Sequence, residues 1–285
     1  MTSETVNNAE DFHEELHDTF YDKKVLIEGD SWVSHPQVSN LAKQFEQDRD
    51  HEAIILNLGA PGDDALSTKH SNSVFIGKQF RELKKILTNE QHGFVFDLIF
   101  LSIAGNDIIG PDILEHKYVK QKTTGGGYGG ELLTGEFDDA VKRIASGYKK
   151  FIDMVRADTM NKETPIVTHT YSFLQPRLSG TNIFGIEFGD GWIATHLDHQ
   201  SIGVDDPDEQ YDILKAMFTR YQEAMEPLNG KKGFHVIDTT ETLLKDDGTP
   251  DTSVFHDEIH PKGRGFRKVY AEIKSQLKSK NVFYS

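Results

Sequence analysis

The chain has 285 residues, which at about 150 residues per domain admits one large α/β domain or two ordinary ones. Its 31 Lys and Arg against 46 Asp and Glu leave a formal net charge of −15, which disfavours phosphate-backbone contacts and therefore a nucleic-acid partner. Cysteine is absent, so disulfides, thiolate zinc sites and a cysteine nucleophile are excluded. With 36% hydrophobic residues and no apolar run near about 18 residues, no integral membrane segment is expected.

Residues 1–23 read as an acidic N-terminal extension carrying Glu4, Glu10, Asp11, Glu14, Glu15 and Asp18, without the basic start and apolar stretch of a secretory leader. A cytoplasmic location, or export without a cleaved leader, is the corresponding expectation. Residues 24–285 read as a single domain. Lys24–Glu28 is a short apolar strand running into the turn Gly29-Asp30-Ser31, and Pro36–Gln47 is predicted as the following helix. Ala53–Asn57 is a second strand and Phe75–Leu87 a second helix, with Phe75, Ile76, Phe80, Leu83 and Leu87 near one face. Asp97–Ser102 is a third strand. Val141, Ile144, Tyr148, Phe151 and Val155 recur at helical spacing, and Pro165–His169 is a fourth strand. Ile213, Leu214, Met217, Phe218 and Tyr221 mark another helix, Phe234–Asp238 a fifth strand, and Phe266–Leu277 a closing helix.

Strands alternating with helices indicate right-handed βαβ units and a mostly parallel, five-stranded sheet covered on both faces, an α/β/α sandwich. Long loops at about 108–136 and 171–206 follow strands, so they belong above the carboxyl edge, where such sheets bind ligands.

Ser31 follows the first strand directly, at the carboxyl edge and at the start of the next helix. It reads as a nucleophile or, more plainly, as a helix cap. A nucleophilic hydroxyl needs a base and an orienting acid, and two Asp-x-x-His spacings occur. Asp48 and His51 precede the second strand, the wrong edge for Ser31. Asp257 and His260 precede the closing helix, in a connection that returns across the carboxyl edge, and on spacing alone they read equally as a surface pair. Donors for a developing oxyanion lie on the loops after the second and third strands: the Gly59 amide in Asn57-Leu58-Gly59-Ala60-Pro61-Gly62, and the Asn106 side chain in Gly105-Asn106-Asp107. Each of these also reads as ordinary turn chemistry.

Gly29-Asp30-Ser31-Trp32, Gly59, Gly105-Asn106-Asp107 and Asp257-Glu258-Ile259-His260-Pro261, in this order over most of the chain, resemble the four blocks of the SGNH or GDSL hydrolases. The resemblance implies a flavodoxin-like sheet, Ser31 as nucleophile, His260 as base, Asp257 as its orienting acid, and an oxyanion hole from the Ser31 and Gly59 amides with Asn106. It implies no cofactor. Two positions depart from the pattern: Trp32 stands where Leu is commonest, and Ala104 where glycine is usual.

The expected activity is hydrolysis of a carboxylic ester, small or lipid, through an acyl-enzyme. The alternatives are removal of acetyl groups from a carbohydrate, and a non-catalytic binding module on the same fold. The apolar side chains of 171–206, Phe184 and Trp192 among them, are expected to line an acyl pocket with Trp32 or else simply to pack. His196-Leu197-Asp198-His199 with Asp205 and Asp206 reads as a metal site of imidazole and carboxylate ligands or, more plainly, as a polar loop; it matches no metalloprotease helix motif, and no metal is assigned. His35, His169 and His256 read as turn or packing histidines. The run Gly125–Gly130 lacks the Lys and Ser/Thr of a phosphate loop and reads as a surface loop or lid.

Overall fold

Runs such as Val25–Ile27, Ile54–Leu56 and Leu98–Leu101 are apolar without alternation, the pattern of strands covered on both faces, and every one of these side chains is fully buried. The structure is a computed structural model that describes residues 3–36, 38–66, 73–88, 93–109, 117–157, 160–177, 181–183, 186–188, 192–199 and 201–284, without the side chains of 181–183, 186–188 and 192. In chain order its strands are β1 (Glu4–Val6), β2 (Lys23–Gly29), β3 (Ala53–Asn57), β4 (Leu98–Ser102), β5 (Ile166–His169), β6 (Thr181–Ile183), β7 (Ile186–Phe188) and β8 (Phe234–Ile237). The helices are α1 (Ala9–Asp18), α2 (Ser31–Ser34), α3 (Leu41–Glu46), α4 (Gly77–Thr88), α5 (Gly105–Ile109), α6 (Gly135–Ala157), α7 (Trp192–Asp198), α8 (Pro207–Met225) and α9 (Gly263–Ser279).

The main sheet runs β1-β3-β2-β4-β5-β8 with every pairing parallel. It therefore has six strands, not five. The additional strand lies within the stretch read as an acidic extension: Glu4–Val6 pairs with Ile54–Leu56 of β3. Three residues at a sheet edge, only Val6 of them buried, are too few for a periodic signal. Behind this edge strand α1 buries Phe12 completely against Phe94 and Phe96.

The helix expected over Pro36–Gln47 is shorter, Leu41–Glu46 (α3), and a separate one-turn helix, α2, precedes it over Ser31–Ser34. Asp30 caps α2, accepting from the Trp32 amide at 2.9 Å, and Asn40 caps α3, accepting from the Lys43 amide at 2.9 Å. Each cap starts its own helix. α3 packs against α9, and α4 and α8 against α6, which fills the two outer layers. The 171–206 loop has its own structure, an antiparallel β6–β7 hairpin followed by α7. Gly129 and Gly130 seat against α8, where a Cβ on Gly130 would lie 2.7 Å from the Ala216 methyl.

After β2 the chain crosses to β3 on one side and then to β4 on the other. The carboxyl end of β2 is thus the switch point of the sheet, the place where a crevice opens in α/β folds.

Candidate active site

β2 and β4 approach so closely at their ends that a Cβ on Gly29 would lie 2.1 Å from the Ser102 carbonyl, which explains the glycine there. The next residue, Asp30, donates its amide to the Ser102 carbonyl at 2.9 Å and uses its side chain as the cap of α2. Ser31 is consequently the first residue of that helix, at the switch point, with 9% exposure. No acceptor bonds the Ser31 amide among the described residues. Tyr171, just past β5, donates its hydroxyl to Asp30 Oδ2 at 2.5 Å. Burial pushes the Asp30 carboxyl up to about 6 although this bond pulls it down.

Asp257 Oδ1 accepts the amides of Ile259 and His260 at 2.8 and 2.7 Å, closing a tight turn on itself, while Oδ2 lies 2.8 Å from His260 Nδ1. The Asp-x-x-His spacing follows from that geometry, since one carboxylate fixes both the turn and the ring. The other ring nitrogen, Nε2, lies 2.7 Å from Ser31 Oγ. Burial of Asp257 opposes its ionisation, but the hydrogen bonds and charge of His260 outweigh it and hold the carboxyl below its ordinary value. An acceptor-only carboxylate at Nδ1 fixes the proton there and leaves Nε2 basic toward the hydroxyl. The His35 ring lies 4.7 Å from the His260 ring. Burial first, then His260, lower the His35 pKa to about 4, so this neighbour adds no charge at neutral pH.

The loop after β3 passes close under the turn: a Cβ on Gly59 would meet the Gly29 carbonyl at 2.6 Å and Val33 Cγ2 at 2.7 Å. The Gly59 amide donates to Asn57 Oδ1 at 3.2 Å. Asn106 in α5 donates one Nδ2 hydrogen to the Asp63 carbonyl at 2.9 Å, leaving the second for the cavity that it lines together with Ser31. Gly105 is required beside it because a Cβ would lie 2.8 Å from Asp30 Oδ2. The cavity, about 10 Å³, is walled by Ile109, Tyr171, Leu174, Phe218 and Ile259. Trp32 borders it, yet its indole is 1% exposed and packs among His169, Tyr171 and Phe266. Phe184 lies outside the described residues, and Trp192 is described only as the first residue of α7.

The remaining histidines sit elsewhere. Asp48 accepts from Tyr270, Tyr284 and Lys274, and His51 stacks on Tyr284, an assembly with the C-terminal segment near the start of β3. His169 lies between the rings of Trp32 and Phe100, with Nε2 2.8 Å from Ser102 Oγ, and burial lowers its pKa to about 4. His256 is exposed, and its amide donates to the His260 carbonyl at 2.7 Å. His199 is exposed beside Ser201, and among the described residues no three potential ligands gather around a metal position.

Sequence reading missed three supports of this site. Tyr171 is one. Another is Glu258, buried between Asp257 and His260, whose carboxylate accepts the amides of Ile193 and Ala194 in α7 and of Arg177 at 2.7, 3.0 and 2.9 Å. Arg177 in turn donates its guanidinium to the Asp257 carbonyl at 2.6 Å. The third is Glu28, and here a signal existed: a carboxylate directly after the apolar run Val25–Ile27, in the buried part of the strand.

A six-stranded parallel sheet in this order is the SGNH-like α/β fold. The chain belongs to the GDSL-like lipase/acylhydrolase family, which it matches over residues 26–268. A candidate platelet activating factor from Streptococcus pneumonia is similar in structure, with 17% identity and a TM-score of 0.50, covering 94% of this chain and 90% of that one. A GDSL-like lipase from Bacteroides thetaiotaomicron has 11% identity and a TM-score of 0.42, with coverage of 96% and 98%. A catalytic mutant of an acetylxylan esterase from Geobacillus stearothermophilus has 11% identity and a TM-score of 0.45, with coverage of 91% and 95%. Comparison with curated proteins finds no match. Among the described residues no helix is long and apolar enough to cross a membrane.

Proposed function

We propose that the protein is a serine esterase that cleaves carboxylic esters through an acyl-enzyme on Ser31. The observation that carries this reading is the unbroken hydrogen-bonded chain from Ser31 Oγ through His260 to Asp257. Ser31 Oγ attacks the ester carbonyl carbon as His260 Nε2 takes its proton, and the carbonyl oxygen becomes an oxyanion. The Ser31 and Gly59 amides and Asn106 Nδ2 donate to that oxyanion, Gly59 giving up its contact with Asn57. His260 then protonates the departing alcohol, and water, deprotonated by the same nitrogen, releases the acid. Asp257 keeps the imidazole in the required tautomer and stabilises its cationic form.

The family membership supports an acyl ester as substrate. The apolar walls of the cavity beside Ser31, Ile109, Leu174, Phe218 and Ile259, support an acyl group seated there. A deacetylase acting on a carbohydrate ester is the second reading. The test is a panel of 4-nitrophenyl esters from acetyl to long chain, run beside acetylated sugars and a serine-directed fluorophosphonate. Labelling at Ser31 and turnover that vanishes in Ser31→Ala are expected, with His260→Ala nearly as damaging. Full turnover in Ser31→Ala overturns the mechanism, and a folded protein that neither labels nor turns over any ester is the binding module instead. Dialysis against EDTA is expected to leave the rate unaltered, and restoration of a lost rate by zinc or calcium overturns the cofactor-free reading.

A further inference from the structure

Glu28 immediately precedes the Gly29-Asp30-Ser31 turn, and its side chain is fully buried. Asp63, in the loop after β3, is fully buried as well. The two carboxyls converge on one nitrogen: Gln79 Nε2 of α4 lies 3.0 Å from Glu28 Oε1 and 3.1 Å from Asp63 Oδ2. Each acid keeps a second buried oxygen, Glu28 Oε2 and Asp63 Oδ1, that bonds nothing among the described residues. The charge acting on Glu28 is Asp63 itself, while Asp30 at the end of β2 and Asp64 in the same loop act on Asp63. On the β4 side, Glu28 is paired with apolar Leu101, and the nearby His169 on β5, bonded to Ser102, is neutral. Two buried carboxylates that share the Gln79 amide, with one backbone amide each from Gly29 and Ala60, and that are set against other carboxylates are costly to ionise together. Burial first, then Asp63, push the Glu28 carboxyl up to about 8, and burial pushes Asp63 up to about 6 against the bonds from Gln79 and Ala60.

Asp63 also ties together the two loops that carry the oxyanion donors. Its Oδ2 accepts the Ala60 amide at 3.1 Å, one residue from Gly59, and its main-chain carbonyl accepts Asn106 Nδ2 at 2.9 Å. We propose that Glu28 and Asp63 form a proton-sharing carboxyl pair that positions Gly59 and Asn106, with Glu28 holding the proton at neutral pH. The inference rests on the serine-esterase reading above. Loss of the Glu28 proton sets a second negative charge against Asp63. Asp63 then moves to relieve the repulsion, taking Ala60 and Asn106 with it. Neither acid touches the ester, so both are positioning residues.

The sign follows from the pair. As pH rises through the Glu28 titration, kcat falls on its alkaline side while KM changes little, because the donors act mainly in the transition state. Glu28→Gln keeps the shape and cannot ionise, so the ratio of kcat at about pH 9.5 to kcat at about pH 7 rises at least about threefold over the parent. The infrared difference between parent and Glu28→Gln at about pH 7 shows the loss of a protonated-carboxyl carbonyl stretch. Asp63→Asn, the second variant, keeps that signal but titrates it at lower pH, since the like charge is gone. An alkaline limb unchanged in Glu28→Gln overturns the proposal, and so does an infrared difference without the protonated band. Turnover surviving in Ser31→Ala would instead sink the serine reading, and the infrared test, read in that same background, judges the carboxyl pair alone.

Discussion

Ala104 carries a φ of 111°, a conformation that a side chain rarely adopts, and it is fully buried at the turn that delivers Gly105 and Asn106. Strain of this kind costs about 1–3 kcal/mol. Ala104→Gly relieves it but gives up one buried methyl, roughly 0.8 kcal/mol, and frees the unfolded chain by about 0.4–1 kcal/mol. Urea melts are expected to place Ala104→Gly within about 1 kcal/mol of the parent and Ala104→Val at least about 2 kcal/mol below it. Asn106, one step beyond Gly105, is expected to matter to rate rather than stability: Asn106→Ala lowers kcat by about 10²- to 10³-fold with a smaller change in KM. A loss confined to KM in steady-state kinetics would make Asn106 a substrate-binding residue instead. Much of this was legible because it is local. Asp257 and His260 share one turn, and Asp30 and Ser31 share one helix cap, so their spacing in sequence already encodes their geometry. Tyr171 and Asp30 are separated by 141 positions, and no local pattern relates them.

The elements that surround the site are joined through Glu258. Its carboxylate ties α7 and the segment at Arg177 to the turn between Asp257 and His260, so the structured part of 171–206 and the proposed base, His260, hang from one side chain. Charge-assisted bonds to backbone amides are worth about 1.5–3 kcal/mol. Glu258→Ala is therefore expected to speed amide hydrogen exchange at Ile193 and Ala194 by roughly 10- to 100-fold while leaving β2 and β4 protected. Equal loss of protection across the sheet would mean that Glu258 stabilises the whole domain rather than this attachment. The internal structure of 171–206 was not visible in the sequence, since three-residue strands such as β6 and β7 fall below any period. The late start of the helix predicted over 36–47 was missed for a different reason: Asn40 is a cap that an apolar count overlooks. The strands β2 to β5 and β8 were easy to read because burial on both faces demands continuous apolar runs.

At the scale of the whole molecule, Asp48 clamps the C-terminal segment through Tyr270, Tyr284 and Lys274, with Asp50 paired to Lys274 and Lys278. Burial works against the Asp48 charge, but the Lys274 bond and the two tyrosines win and hold its pKa at about 2. A carboxyl depressed on folding adds stability that is complete above its unfolded value near about 4 and disappears as pH falls through about 2. Asp48→Asn is expected to cost roughly 1–2 kcal/mol near neutrality, after allowance for solvent screening, and the gap in Tm from the parent should close in acid. A gap that stays constant with pH would mean that the clamp acts through packing and not through charge. The hydrogen bond between Ser31 and His260 spans 229 positions of chain. A contact of that sequence separation closes late, after the intervening parallel strands have found their neighbours. Enzymatic activity is thereby a clock for the end of folding: on refolding from denaturant, ester turnover should return with the slowest fluorescence phase or after it, and a nascent chain still lacking its last βα unit should be inert however well its first strands have formed.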